Sequence, residues 1–199
     1  GYWDRPGLDR RKWRVSIDGF HCPRLIMRGD TPPVERLLES QLTIQPDRRA
    51  DGDVLMIGNA PKSVNAIAGD WAARKSREIK DLFPEKRLIY RPKPGRAPEK
   101  NVIFDGISTG DITKAIRKAS LVVCRHSNVA VDACFLGVPV VAEDGAGAAI
   151  YPHRLEDWTN QPSREQREEF IQRLAWWQWS AYEMRQGKFW PWLEARLSE

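Results

Sequence analysis

Chemistry in this chain concentrates where polar residues interrupt apolar runs. Arg125-His126-Ser127-Asn128 separates the run LVVC at 121–124 from the apolar stretch 129–136, which holds a lone acid, Asp132. In Arg91-Pro92-Lys93-Pro94 two cations alternate with two prolines, which stiffen the backbone and leave Arg91 and Lys93 projecting. Lys62 sits in Asn59-Ala60-Pro61-Lys62-Ser63, directly after another apolar run. Cations and hydroxyls placed at a turn and a helix start suit an anion. Lys62 reads either as a phosphate contact or as a solvated loop lysine, and His126 either as a ligand contact or as a turn residue. Asp18 and His21, in VSIDGFHCP, are candidates for a general base, although a strand-end Asp and a turn His are common structural residues.

Other chemistries lack their signatures. His21, His126 and His153 are far apart, and neither HExxH nor a Cys/His spacing suggests a metal. GxSxG, GxGxxG and GxxxxGK[ST] are all missing. Cys22, Cys124 and Cys134 have no CxxC spacing, and the last two lie on apolar elements as buried thiols suited to a reducing compartment.

The elements that must hold these residues follow from periodicity. Residues 121–124 and 138–142 read as buried strands, with a short apolar helix over 129–136 between them. Ser127 or Asn128 can cap that helix, and Gly137 stands where a C′ glycine belongs. Such short connections require parallel strands and a right-handed crossover, so both polar loops, 125–128 and 143–147, fall at carboxyl ends of strands. Upstream, strands are predicted over 54–58, 87–90 and 101–106, and helices over 71–83 and 112–119. The order predicts an α/β fold, a parallel Rossmann-like sheet with helices on both faces. Residues 1–50 read as an irregular segment with one strand through Trp13, Val15 and Ile17 and one short helix over 34–40. The domain expectation is 1–50, 51–160 and 161–199.

A capping box at Ser163-Arg164-Glu165-Gln166 starts a long C-terminal helix, which Phe170, Leu174, Trp177, Ala181 and Met184 extend to near Gly187. Its tryptophans either pack the helix against the rest of the chain or form a surface for stacked bases or for a partner chain, an oligomer contact included.

HSNVAVDACFLGVPVV resembles the nucleotide-binding segment of GT-B-fold glycosyltransferases, and residues 53–142 match the C-terminal half of such enzymes in order and spacing. The resemblance implies that Ser127 and Asn128 meet a diphosphate, together with Lys62, Arg91, Lys93 and His126, and that Asp132 takes the ribose. The alternative for Asp132 is a solvated place on the outer helix face. The resemblance also puts Gly106, Ile107 and Ser108 around the nucleobase and Asp18 and His21 near the cleft between halves. It implies sugar transfer from a nucleotide sugar, UDP-type, with the donor as substrate and no cofactor. Sugar-nucleotide epimerases share this fold, so the likeness bears on fold more than on activity. Residues 1–50 are too short for the N-terminal half of the family, which leaves a non-catalytic nucleotide- or nucleic-acid-binding module as the other expectation. The YWDR opening and tryptophan-rich tail are similar to bacteriophage and prophage glycosyltransferase-like proteins, which implies a modified base in phage DNA as an acceptor.

Composition sets the outer limits. The chain has 199 residues, 30% charged and 41% hydrophobic, which is globular, and a net charge of +5 that permits a polyanionic partner or a phosphorylated ligand. No apolar run approaches the roughly 20 residues of a membrane span. GYWDRPG lacks a signal region, so the expected location is cytoplasmic; it also lacks Met, so upstream sequence is expected.

Overall fold

The computed structural model of the chain describes residues 12–14, 23–40, 42–48, 51–59 and 70–198. Asp18, His21 and Lys62 lie outside the described residues, as do Val15 and Ile17 of the predicted first strand.

Five parallel strands form the central sheet in the order β4-β3-β2-β5-β6. They are β2 (Asp53–Ile57), β3 (Leu88–Arg91), β4 (Gly106–Ile107), β5 (Ala119–Cys124) and β6 (Val140–Ala142). The chain enters at the central β2, steps outward through β3 to β4, and returns to β5 on the other side of β2. The direction therefore reverses between β2 and β5, and a crevice opens there at the carboxyl ends.

Burial explains the apolar strands. All six residues of β5 are buried, as expected of a central strand covered on both faces. One face carries Leu55, Ile57, Val122 and Cys124 against helices α4 (Ile112–Lys118), α5 (Val129–Leu136) and α6 (Arg164–Trp176). The other carries Val54, Met56, Leu121 and Val123 against α3 (Trp71–Leu82) and Leu155. The expected α/β sheet with helices on both faces is thus observed, and α5 spans the predicted residues, ending at Gly137 with φ +68°.

Two elements differ from expectation. Of the strand predicted over 101–106 only Gly106 belongs to β4, which runs Gly106–Ile107. Asp105 causes this: its carboxylate accepts the Leu88 N–H at 2.7 Å and Lys80 at 3.0 Å, so a side chain occupies the place of a ladder bond. The C-terminal helix has its predicted capping box at Ser163 but stops at Trp176 instead of continuing to Gly187. Gln178–Ser180 forms a strand, β7, antiparallel to β1 (Lys12–Arg14), and Ser180 with Glu183 makes a second capping box that starts α7 (Ala181–Arg185). A helix α8 (Trp190–Leu197) follows.

The segment before the sheet folds onto this tail. Helices α1 (Pro23–Ile26) and α2 (Glu35–Leu38) pack against α6. Three buried arginines fasten the contact. Arg36 donates to the carbonyls of Gln178 (2.7 Å) and Ala175 (3.3 Å), pairs with Glu183 at 2.6 Å, and lies 3.9 Å from the Trp179 ring centroid. Arg173 donates to the carbonyls of Arg28 and Gly29, and Arg167 to those of Cys134 and Gln45. Trp177 and Trp179 are buried, and Trp192 crosses Trp177 edgewise, lies tilted against Trp179 and stacks on Trp176; Trp190 remains 53% exposed. Packing thus accounts for most of the tryptophan-rich tail.

Candidate active site

The crevice is built from the first residues beyond β2, β3, β5 and β6. After β2 the backbone can pass close to its neighbour only as glycine: a Cβ on Gly58 would lie 2.3 Å from the Tyr90 hydroxyl oxygen. Glu99 then ties the two strand ends together, accepting the Asn59 N–H at 2.7 Å and the Tyr90 hydroxyl at 2.9 Å. Asn59 itself is buried.

After β3, Arg91 points along the sheet edge. Its guanidinium donates to the Ser108 hydroxyl (3.0 Å) and to the Gly110 carbonyl (2.6 Å), and so holds the 108–110 turn beyond β4. Ile107 is 47% exposed beside that turn, and Gly106 lies against Ile89. Lys93 is half-buried, and its charge reaches the His126 ring.

After β5 the chain turns into α5. The Val129 N–H donates to the Ser127 hydroxyl at 3.3 Å and the Ala130 N–H to the Ser127 carbonyl at 3.2 Å. Asn128 occupies the cap position in helical conformation, and its side chain makes no cap bond. The Val131 N–H donates to the Asn128 carbonyl at 2.8 Å, so of the first-turn amide groups only those of Val129 and Ala130, with the longer bonds, are weakly committed within the chain. His126 is half-buried; burial lowers its pKa, Arg125 and Lys93 lower it further, and Asp144 opposes them. The imidazole is therefore neutral near pH 7 and can offer both a donor and an acceptor. One turn into α5, burial raises the half-buried Asp132 carboxyl to about 6, and no bond to its side chain is found among the described residues. Cys124, directly behind the loop, is pushed up to about 12 by burial and is no thiolate nucleophile.

After β6, residues 143–145 close against this turn. The Glu143 N–H donates to the Cys124 carbonyl (3.3 Å) and the Asp144 N–H to the Arg125 carbonyl (2.7 Å). Gly145 has φ +78°, and a Cβ there would sit 2.9 Å from the His126 Cα. The Glu143 carboxylate is gripped from α3, by the Trp71 indole N–H at 2.5 Å and by the Lys75 ammonium at 2.7 Å. Lys75 is buried and also pairs with Glu78. Burial lowers the Lys75 pKa, but the bonds to Glu143 and Glu78 outweigh it, and the net shift is upward.

The structure thus puts His126, Ser127 and Asn128 on one turn, with the Lys93 charge reaching His126 and with Arg91 bonded to Ser108, while Asp132 lies one turn into α5. Gly106 and Ile107 lie on the edge strand. The Glu143 latch with Trp71 and Lys75, and the Glu99 tie, were missed by sequence reasoning. An acid immediately after a buried strand, as Glu143 is, was the available signal; its partners on α3 were not. Among the described residues no group of three or more His, Cys, Asp or Glu could hold a metal ion.

No protein-family model matches the chain. No curated protein sequence matches it either. Among solved structures, it is similar to KpsC of Thermosulfurimonas dismutans, described as a beta Kdo 2,7 transferase, with 18% identity and a TM-score of 0.43 over 70% of this chain and 49% of that one. A second KpsC structure from the same organism, described as a beta Kdo 2,4 transferase, gives 12% identity and 0.46 over 75% and 58%. A GtfA/B complex gives 12% identity and 0.35 over 70% and 36%. The chain spans about half the length of the two KpsC structures. At these scores, none of the three lends a residue role to this chain.

Proposed function

We propose that the crevice binds a nucleotide sugar and that the protein transfers the sugar to an acceptor hydroxyl. The observation that carries this reading is the meeting of Lys93, His126 and the first turn of α5 at the point where the strand order reverses. In the proposal Lys93, His126, Ser127 and Asn128 hold the diphosphate, together with Lys62, which follows β2 in the sequence. Asp132 accepts from the ribose hydroxyls. Arg91 holds the 108–110 turn, so that Gly106, Ile107 and Ser108 border the base.

As the bond from the anomeric carbon to the diphosphate breaks, negative charge builds on the departing oxygen. In this reading the Lys93 cation and the amide groups at the start of α5 stabilise it, the work a metal ion does elsewhere. The acceptor oxygen forms the new bond and loses its proton to a base, for which Asp18 and His21 are the candidates.

Calorimetry with nucleoside diphosphates tests the site. Charge-assisted bonds of about 1.5–3 kcal/mol each, less the entropy of association, give an expected micromolar Kd for UDP. Asp132→Ala should weaken binding by about ten-fold, a loss of roughly 1.4 kcal/mol. Folded protein that binds none of the diphosphates would remove the reading, and slow hydrolysis of a bound donor separates a transferase from a module that only binds. For the acceptor, the net charge of +5 and the Arg10-Arg11-Lys12 patch are compatible with a polyanion such as DNA, and the hydroxymethylated base comes from the resemblance alone. A gel-shift salt titration on plain and hydroxymethylated duplexes checks this; no shift at low salt ends it.

A further inference from the structure

A cavity of about 600 Å³ opens at the amino ends of the strands, on the far side of the sheet from the crevice. The five residues of β2, at about 3.3 Å each, put on the order of 16 Å between the two. Its size lies within the usual range of small-molecule sites, and it shares none of the diphosphate residues. Val54, Leu121, Val138 and Pro139 give it apolar walls, and Phe83 with Trp158 forms an edge-to-face aromatic corner, centroids 5.4 Å apart at 76°.

One polar group on this wall stands out. Lys86 is half-buried, and its ammonium donates to two neutral acceptors, the Gly52 carbonyl (3.2 Å) and the Ser120 hydroxyl (3.1 Å). No carboxylate pairs with it among the described residues. The other charges at the cavity are matched: Arg167 is paired with Asp47 at 2.5 Å, and Arg48 and Asp51, both exposed, offset each other in formal charge. A partly desolvated ammonium with two neutral partners keeps one proton and a whole charge for an anionic oxygen.

We propose that this cavity is a second ligand site for a small amphipathic carboxylate, whose flat apolar body lies against Phe83 and Trp158 and whose carboxylate meets Lys86. One unbalanced lysine calls for a monoanion, and the aromatic corner for a planar body. The site acts apart from the crevice, so its occupant neither competes with a nucleotide nor needs one.

The test uses the full chain with two probes of one shape, 2-naphthoate and the neutral 2-naphthalenemethanol, followed by ligand-observed NMR and calorimetry. The expected result is naphthoate binding at least about five-fold tighter than the alcohol, the preference a charge-assisted bond confers. Lys86→Met should abolish that preference while leaving the alcohol's affinity unchanged, and Trp158→Leu should weaken both probes. Lys86→Gln, which keeps the bonds to Gly52 and Ser120 possible, serves if the methionine variant unfolds. Saturating UDP should leave naphthoate binding unaltered. Equal affinity for the two probes overturns the role of Lys86. Displacement of naphthoate by UDP overturns the location, and no binding of either probe up to about 1 mM overturns the site. Apart from the UDP arm, which rests on the proposed nucleotide site, none of these outcomes depends on whether the crevice binds a nucleotide.

Discussion

Asp132 is the residue at which function and stability pull apart most clearly. A carboxyl raised to about 6 by burial, with no bond to its side chain among the described residues, costs stability whenever it is ionised. Between an unfolded value of about 3.9 and the folded value of about 6, the folded chain binds the extra proton. Stability therefore falls as pH rises through this window and stays lower above it. The rise to about 6 corresponds to roughly 3 kcal/mol, an upper figure for a side chain that keeps some solvent contact. Asp132→Asn should thus stabilise the protein by about 1–3 kcal/mol at pH 8 and by little at pH 4, as read by urea unfolding at the two pH values. The same variant should lose affinity for UDP. A residue that helps binding while harming the fold is what a ligand site leads one to expect; a purely structural acid would not show the pair of effects.

At the scale of elements, the crevice depends on two loops pressed into each other. Gly145 combines φ +78° with ψ −171°, a region essentially closed to other residues, and its missing Cβ leaves room for the His126 backbone. Gly145→Ala should destabilise by about 2–3 kcal/mol and weaken diphosphate binding, because the 143–145 loop would have to leave the 125–128 turn. Thermal unfolding and calorimetry on the one variant check both halves. The predicted helix over 129–136 and the C′ role of Gly137 were legible because they depend on neighbours in sequence. Gly137 has a second duty that is not local: a Cβ there would fall 2.1 Å from the Pro46 carbonyl oxygen. The end of the C-terminal helix was legible in part, since the Ser180–Glu183 capping box stands in the sequence; the apolar stripe running through it pointed to a longer helix.

For the whole molecule, Arg36 joins the segment before the sheet to the tail after it. Its partners at Ala175, Gln178 and Glu183 are 139 to 147 residues away. Burial alone would raise the Glu183 pKa, but Arg36 and Ser180 hold it at about 2. The contribution of this pair is complete above about 4.5 and is lost as pH falls towards 2. Removing one member of a buried pair strands the other, so Arg36→Leu should cost about 3–5 kcal/mol at pH 7. Chemical denaturation should show the loss shrinking below pH 4, and a loss equal at pH 3 and pH 7 would contradict the assignment.

The sequence by itself determined the sheet, its parallel sense and the loops that end its strands. Each of these follows from the alternation of short apolar runs with turn residues between 53 and 142, and from the handedness of short crossovers. It also placed His126, Ser127, Asn128 and Asp132 together, because they lie on one turn and the helix it opens. The tertiary structure alone decided which charges are buried and what they hold. Arg36, Arg167 and Arg173 look like surface residues of polar helix faces, yet each is buried against backbone carbonyls of a segment more than a hundred residues away or of a neighbouring loop. The grip of Trp71 and Lys75 on Glu143 spans about seventy residues in the same way. Periodicity records which face of an element is apolar; it carries no record of a partner brought near only by the closing of the whole chain.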